Sequence, residues 1–183
     1  LKIEDSDIRL FTGYTRIYES AAGGCIDLHE RHGADELKEN LEACKLLADK
    51  GHKIQMLPLL EAKEKDLRAV LLWDVFGEKN PDIRINFSVI ADIKTPCKSS
   101  VSKTTLNDCI YRAGQQKVPI VVINLHRANY SFGNIKEAML SALQPDRNKS
   151  IREIWIITTD NNLLIIPRKM INTRKFYAVL NIL

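Results

Sequence analysis

The chain has 183 residues, 45% of them hydrophobic and 27% charged, and a formal net charge of +4. This describes an ordinary globular chain, long enough to bury a core in one domain. The mild positive charge suits a phosphate-rich partner without requiring one, and no apolar run approaches the ~20 residues that span a bilayer. Cys25, Cys44, Cys97 and Cys109 are widely separated, with no C-x-x-C pair and no Cys/His zinc spacing. Four reduced thiols in a cytosolic setting are expected rather than a disulfide framework. The sequence has no signal-peptide pattern, and its start at Leu1 reads as that of a segment excised from something longer.

In chain order, residues 8–28 (IRLFTGYTRIYESAAGGCIDL) read as paired strands broken at Ala21 to Gly24. They suggest a β-hairpin appendage over residues 1–30, ahead of an α/β domain over residues 31–183. From Ala34 to Lys50 the period becomes helical: Leu37, Leu41, Cys44 and Ala48 share a stripe flanked by Leu47, and Gly51 ends it. His52 to Leu57 reads as a short strand closed by Pro58. Residues 59–79 join a charged stretch to the apolar AVLLWDVF; a helix is favoured, with a strand as the alternative, in an insertion that shapes access to substrate. Two short strands follow around Asn86, a good turn residue, and then a polar loop, TPCKSSVS. Further on come a helix from about Thr104 to Lys117, an apolar strand PIVVINL, and a helix over Asn134 to Leu143 facing inward through Ile135, Met139, Ala142 and Leu143. Strands over Glu153–Thr158 and Leu163–Ile166 turn at Asp160-Asn161-Asn162. The tail from Arg174 is apolar and undecided. Helices interleaved with strands predict an α/β fold, a central mixed β-sheet flanked by helices.

The chemistry concentrates at Pro81-Asp82 and, after nine intervening residues, Asp92-Ile93-Lys94. Alternate residues of a strand face the same way, so Asp92 and Lys94 share a face while Ile93 points into the core. Two carboxylates suit a hard divalent cation, and a nearby ammonium suits a water or phosphate beside it. The plain alternative is a turn-capping Asp82 and a surface ion pair at a strand end. His29 and His32, in HERH, are a conceivable acid–base pair for metal-independent RNA cleavage, although a capping role fits that spacing better.

Written as P-D-x9-D-x-K, the motif resembles the signature of the PD-(D/E)XK, restriction-endonuclease-like nuclease superfamily. The order of helix, three strands, helix and strand around it is similar to that core. The resemblance implies a metal-dependent nuclease in which Asp82, Asp92 and the Ile93 carbonyl hold Mg²⁺ or Mn²⁺ and Lys94 is catalytic. An acid on the first helix often joins such a site. Glu36, Glu39 and Glu42 compete for that role, and Glu36 is preferred because it borders the apolar stripe beside Asn40 and Ala43. Family members also carry a glutamine on the helix after the lysine, and Gln116 stands in that place beside Gln115. Lys79, Lys98, Lys103 and Arg112 are candidate phosphate contacts.

The wider pattern, ELKENLEACKLLADKGHKIQMLP, KNPD, ADIKTP and VVINL, resembles C-terminal toxin domains of contact-dependent growth-inhibition and related polymorphic toxin proteins. That resemblance implies a removable domain of an exported protein that acts in a target cell's cytoplasm, often on tRNA, and is neutralised by a cognate immunity protein. The long 59–79 segment departs from the compact pattern. A DNA-cleaving enzyme of the same fold, an inactive nucleic-acid- or protein-binding module, and a structural domain of a larger protein are the competing readings. No membrane partner is expected.

Overall fold

A computed structural model describes residues 12–96 and 100–181. The chain divides into two compact units, residues 1–91 and 92–183. The sheet order is β1-β2-β3-β4-β5-β7-β9-β10, mixed in direction, which matches the α/β expectation. Among the described residues five α-helices accompany these strands.

In the first unit, β1 (Tyr14–Glu19) and β2 (Cys25–His29) form an antiparallel hairpin, with an irregularity between Arg16 and Tyr18. Helix α1 (Leu37–Asp49) then crosses over to β3 (Lys53–Met56), which lies parallel to β2. A helix crossover is what a parallel pair requires. The buried face of α1 is Asn40, Ala43, Cys44, Leu47 and Ala48. It is turned toward Asn40 and Ala43 relative to the stripe read from sequence, with Leu37 and Leu41 at its margin, and it seats closely at Ala48, whose carbonyl a Cβ on Gly24 would overlap. The helix ends as Gly51 dictates. At φ +89 its N–H bonds to Ala48 O at 2.8 Å while the His52 N–H reaches Leu47 O at 3.2 Å, the reciprocal pair of a Schellman stop.

Strands β4 (Ile83–Ile85) and β5 (Val89–Lys94) complete the meander, with Ile54↔Ile85 and Ile83↔Ala91 among their rungs. Their turn places Asn86 and Phe87 at φ 50 and 58, the doubly left-handed geometry that matches strand twist. Asn86 tolerates it. It also bonds through its own N–H to Lys53 O at 2.6 Å and accepts at Oδ1 from Lys53 N–H at 2.9 Å.

Residues 59–79 are helical only over α2 (Lys65–Leu71), shorter than the pattern suggested. Leu71 and Leu72 are buried, whereas Leu59, Leu67, Val70, Trp73 and Phe76 are exposed. An apolar run with too few inward positions cannot extend one amphipathic helix. Buried polar groups close the excursion instead. Arg68 donates to Leu60 O at 2.9 Å, Asn80 Oδ1 at 3.0 Å, Gly77 O at 3.2 Å and Lys79 O at 2.5 Å. Arg84, on β4, grips Asp74 through both carboxylate oxygens, with Nε to Oδ2 at 2.8 Å, and donates to Leu71 O at 3.1 Å.

The second unit begins inside β5. Helix α3 (Lys103–Gln115) is capped by Ser102 Oγ, which accepts from Thr105 N–H at 3.3 Å. Strand β7 (Ile120–Asn124) is buried along its whole length, as expected of a parallel strand covered on both faces. Helix α4 (Phe132–Ala142), capped by Ser131, leads to β9 (Glu153–Ile157), parallel to β7. Strand β10 (Leu163–Pro167) returns antiparallel beside β9. Helix α3 packs on β7 and α4, and the tail forms α5 (Arg174–Asn181) against α4. The polar loop after Lys94 contributes β6 (Ser100–Val101), parallel to β8 (Asn129–Tyr130), a two-residue pairing too short to leave a pattern in sequence. Cys25, Cys44 and Cys109 are free thiols, and Cys97 lies outside the described residues.

Asp74 and Arg84 are both nearly solvent-free, at 12% and 6% side-chain exposure. Removing one partner of such a pair strands the other charge and costs about 3–5 kcal/mol. Asp74→Ala should lower the urea midpoint by that equivalent, whereas Glu61→Ala, which breaks the exposed pair with Lys63, should leave it nearly unchanged.

Candidate functional site

The sequence candidates fall into two clusters, one in each unit. In the first, Glu36 and Asp82 line one cavity of about 260 Å³ together with His32, Asn40, Leu59, Asn80 and Pro81. Glu36 stands at the N-cap of α1 rather than within the helix, and is exposed. Glu39, in the first turn, and Glu42 are not part of this lining. Asp82 is half-buried immediately before β4, and its carbonyl accepts from Leu57 N–H at 2.9 Å. Its carboxylate lies near enough to add, after burial itself, to the upward shift of the Cys44 thiol. That thiol is therefore inert packing.

Asn40 was not singled out by sequence. It is 3% exposed on the buried face of α1 and lines the Glu36/Asp82 cavity. The available signal was an amide four residues after Glu36, within a stripe otherwise made of apolar residues. Asn80 is likewise fixed as a wall, its Nδ2 donating to Leu60 O at 3.0 Å.

The second cluster is the end of β5. Asp92 is 1% exposed, and Lys94 Nζ lies 2.6 Å from its Oδ2 and donates to Ile93 O at 3.0 Å. The two side chains share a strand face, as their spacing predicts, and Ile93 is buried. Helix α3 backs this pair. Burial raises the Cys109 thiol against the opposing pull of Lys94 and Arg112. A buried ion pair of this kind contributes little net stability, but it holds an ammonium and a carboxylate in fixed register. Asp82 and Asp92 are the chain neighbours of the Ile83↔Ala91 rung, one preceding Ile83 and the other following Ala91. Gln116 is the C-cap of α3, its backbone N–H bonded to Ala113 O at 3.0 Å.

Among the described residues, no group of three or more His, Cys, Asp or Glu side chains is gathered to hold a metal ion. The first cluster offers the carboxylates of Glu36 and Asp82, and the second offers the Asp92 carboxylate and the Ile93 carbonyl. An all-oxygen donor set is the chemistry of a hard divalent cation and does not suit zinc or copper.

Of the four candidate phosphate contacts, Lys103 is exposed and 3.7 Å from Glu137, Arg112 is exposed on α3, and Lys79 is half-buried with its carbonyl bound to Arg68. Lys98 lies outside the described residues. The two histidines have separate tasks. His29 is buried edge-on to Tyr14, with ring centroids 4.9 Å apart, and its Nδ1 accepts from Arg31 N–H at 3.0 Å. His32 Nδ1 bonds to Leu57 O at 2.7 Å, which requires the proton on that nitrogen. No helix among the described residues is long and apolar enough to cross a membrane.

No protein-family model matches the chain, and comparison with curated proteins gives no match. Among solved structures, the chain is similar in fold to one described as "CdiA-CT/CdiI toxin and immunity complex from Burkholderia pseudomallei". That chain is 20% identical, the match covers 72% of this chain and 84% of that one, and the TM-score is 0.51. At this identity the likeness establishes the α/β fold.

Burial lowers the basicity of His29, partly offset by Glu30, and lowers that of His52. Both rings stay neutral in the native state at pH values where the unfolded chain, with histidine near ~6.5, takes up protons. Stability is therefore complete above that value and should fall as pH drops from 7 through the lowered native values. Urea midpoints at pH 7, 6 and 5 should show this slope, and His29→Gln should flatten it.

Proposed function

We propose that the chain is a metal-dependent endonuclease hydrolysing nucleic-acid phosphodiesters, acting as a toxin domain in the cytoplasm of a target cell. The observation that carries this reading is the buried Asp92–Lys94 pair at the end of β5, 2.6 Å apart, with Asp82 preceding the adjoining strand. Ordinary strand-end ion pairs lie in solvent. This one has its carboxylate buried and its ammonium at the margin, with 2% and 21% of those side chains exposed.

Asp82, Asp92 and the Ile93 carbonyl would hold Mg²⁺ or Mn²⁺, with Glu36 completing the set directly or through water. A cation bound there supplies Lewis acidity toward the scissile phosphate and a water of lowered pKa. Lys94 would orient the attacking water or offset the charge growing on phosphorus. Gln116 holds a water or a phosphate oxygen at the end of α3, and Lys79, Lys98, Lys103 and Arg112 contact the backbone of the strand. Asn40 and Asn80 keep the Glu36/Asp82 cavity polar.

The fold likeness to a toxin–immunity complex supports the toxin reading and an immunity protein as partner. RNA, tRNA in particular, is favoured over DNA because the motifs around Asp82 and Asp92 resemble those of polymorphic toxin domains, which often act on tRNA. The second reading is an inactive binding module, favoured by the absence among the described residues of a gathered three-acid cluster.

Purified protein incubated with total tRNA and with plasmid DNA should cleave in Mg²⁺ or Mn²⁺ and not in EDTA. Lys94→Ala and Asp92→Asn should each lower the rate at least ~100-fold, the scale of losing one electrostatic stabiliser. Cleavage that persists in EDTA or in Lys94→Ala would sink the proposal, and plasmid cutting without tRNA cutting would reassign the substrate to DNA.

A further inference from the structure

A hollow of about 730 Å³ in the second unit lies between the C-terminal ends of α3 and α4 and the loop over residues 143–151. Its volume is that of a small-molecule site rather than of a surface wrinkle. None of the residues assigned to hydrolysis lines it.

Its walls are built and held. Arg168 donates to five backbone carbonyls of this loop: Asn148 at 2.8 Å, Ile151 at 3.0 Å, Leu143 at 3.3 Å, and Gln144 and Arg147 at 2.7 Å each. One guanidinium thus clamps the loop, and the side chains it carries are preorganised. Asn148 is kept at φ 43, its Nδ2 bonded to Ala142 O at 2.9 Å. Opposite it, any Cβ on Gly114 would stand 2.7 Å from Asn148 Oδ1, so α3 needs glycine there. Lys117, across the hollow, is also left-handed at φ 61. At Lys117 this is the ordinary stop of α3, its N–H bonded to Gly114 O at 3.1 Å.

The lining chemistry is specific. Tyr111 is 56% exposed on α3, presenting an aromatic ring to the hollow. Lys117, Arg147 and Lys149 are exposed at the rim and, among the described residues, are in no ion pair. Asn107 adds a buried Oδ1 that, among the described residues, has no hydrogen-bond partner. The three cations face two carboxylates, Asp108 and Asp146, so the hollow is not a plain anion trap. It combines a ring to stack on, amides and carboxylates for a polar heterocycle edge, and cations for a phosphate. Those are the parts of one nucleotide.

We propose that this hollow binds a nucleoside phosphate, an unstacked base lying on Tyr111 with its phosphate against Lys117, Arg147 and Lys149. The proposal deepens the nucleic-acid reading above, adding a binding site apart from the acids of hydrolysis. It predicts binding without metal or cleavage. The same chemistry is offered by a free mononucleotide and by one unit of a single strand, and the measurement separates them.

The full chain in EDTA would be titrated with a fluorescent single-stranded octaribonucleotide by anisotropy, and with labelled mononucleotides by equilibrium dialysis. Tyr111→Ala should weaken binding about tenfold, the effect of losing one base–aromatic stack, while Tyr111→Phe should bind like wild type. Arg147→Ala/Lys149→Ala should weaken binding and flatten its salt dependence. Circular dichroism confirms that the exposed substitutions leave the fold intact. Binding of the octamer assigns the site to a strand, and binding of mononucleotides alone assigns it to a free nucleotide. The proposal is overturned if wild type binds neither ligand, or if Tyr111→Ala binds as wild type does. Because EDTA blocks hydrolysis, Tyr111-dependent binding by a chain that never cleaves upholds the pocket and sinks the nuclease reading. Cleavage by a chain whose binding ignores Tyr111 does the reverse.

Discussion

The placement of Asp82 depends on a single buried guanidinium. Residues 59–79 leave β3 and return to β4 as an excursion with little core of its own, and such a segment gains too little from burial to order itself. Arg68 supplies what the apolar residues do not. It gathers the carbonyls of Leu60, Gly77 and Lys79 and the amide of Asn80 around one charge, so the two ends of the excursion meet. Asn80 and Leu59 then form walls of the cavity that holds Glu36 and Asp82. The position of Asp82 is thus only as rigid as this knot.

Arginine does similar structural work elsewhere. Arg16 pairs with fully buried Asp27, Arg84 grips Asp74 while its guanidinium lies 5.6 Å from the Trp73 ring, and Arg168 clamps the loop after α4. A planar fork with five donors suits this task, where a lysine would satisfy fewer carbonyls. The count of 27 lysines and arginines therefore overstates the cations that stand clear of such clamps. The cations left for that work are those outside such clamps, among them Lys117, Arg147 and Lys149. Charge counted along a chain does not distinguish a staple from a binding residue.

Burial sorts the titratable groups in the same way. Cys44 and Cys109, raised by burial, are packing, and His29 is held neutral against Tyr14. The Asp92–Lys94 pair differs because its ammonium keeps an edge in solvent while its carboxylate has none. That asymmetry places the ammonium at the margin of the sheet while the carboxylate is held beneath it.

Much of the fold was legible because its signals are periodic or stereochemical. The α1 period, the Gly51 stop, the Asn86 turn and the uninterrupted apolar β7 each follow from local geometry that a short window contains. The spacing of Asp92 and Lys94 likewise guaranteed a shared face. Other features depend on partners distant in the chain. The extent of α2 was decided by Arg68 and its carbonyls, the two-residue pairing of β6 with β8 by a strand nearly thirty residues away, and the close seat of α1 by Gly24, where a Cβ would overlap Ala48 O. The hollow beside Tyr111 has no motif at all, since its walls come from two helix ends and a loop held by Arg168. By itself, then, the sequence determined the elements and the strand face that carries Asp92 and Lys94. Only the tertiary structure decided which charges are staples and which face a cavity, because that depends on desolvation and on donors brought together across the fold.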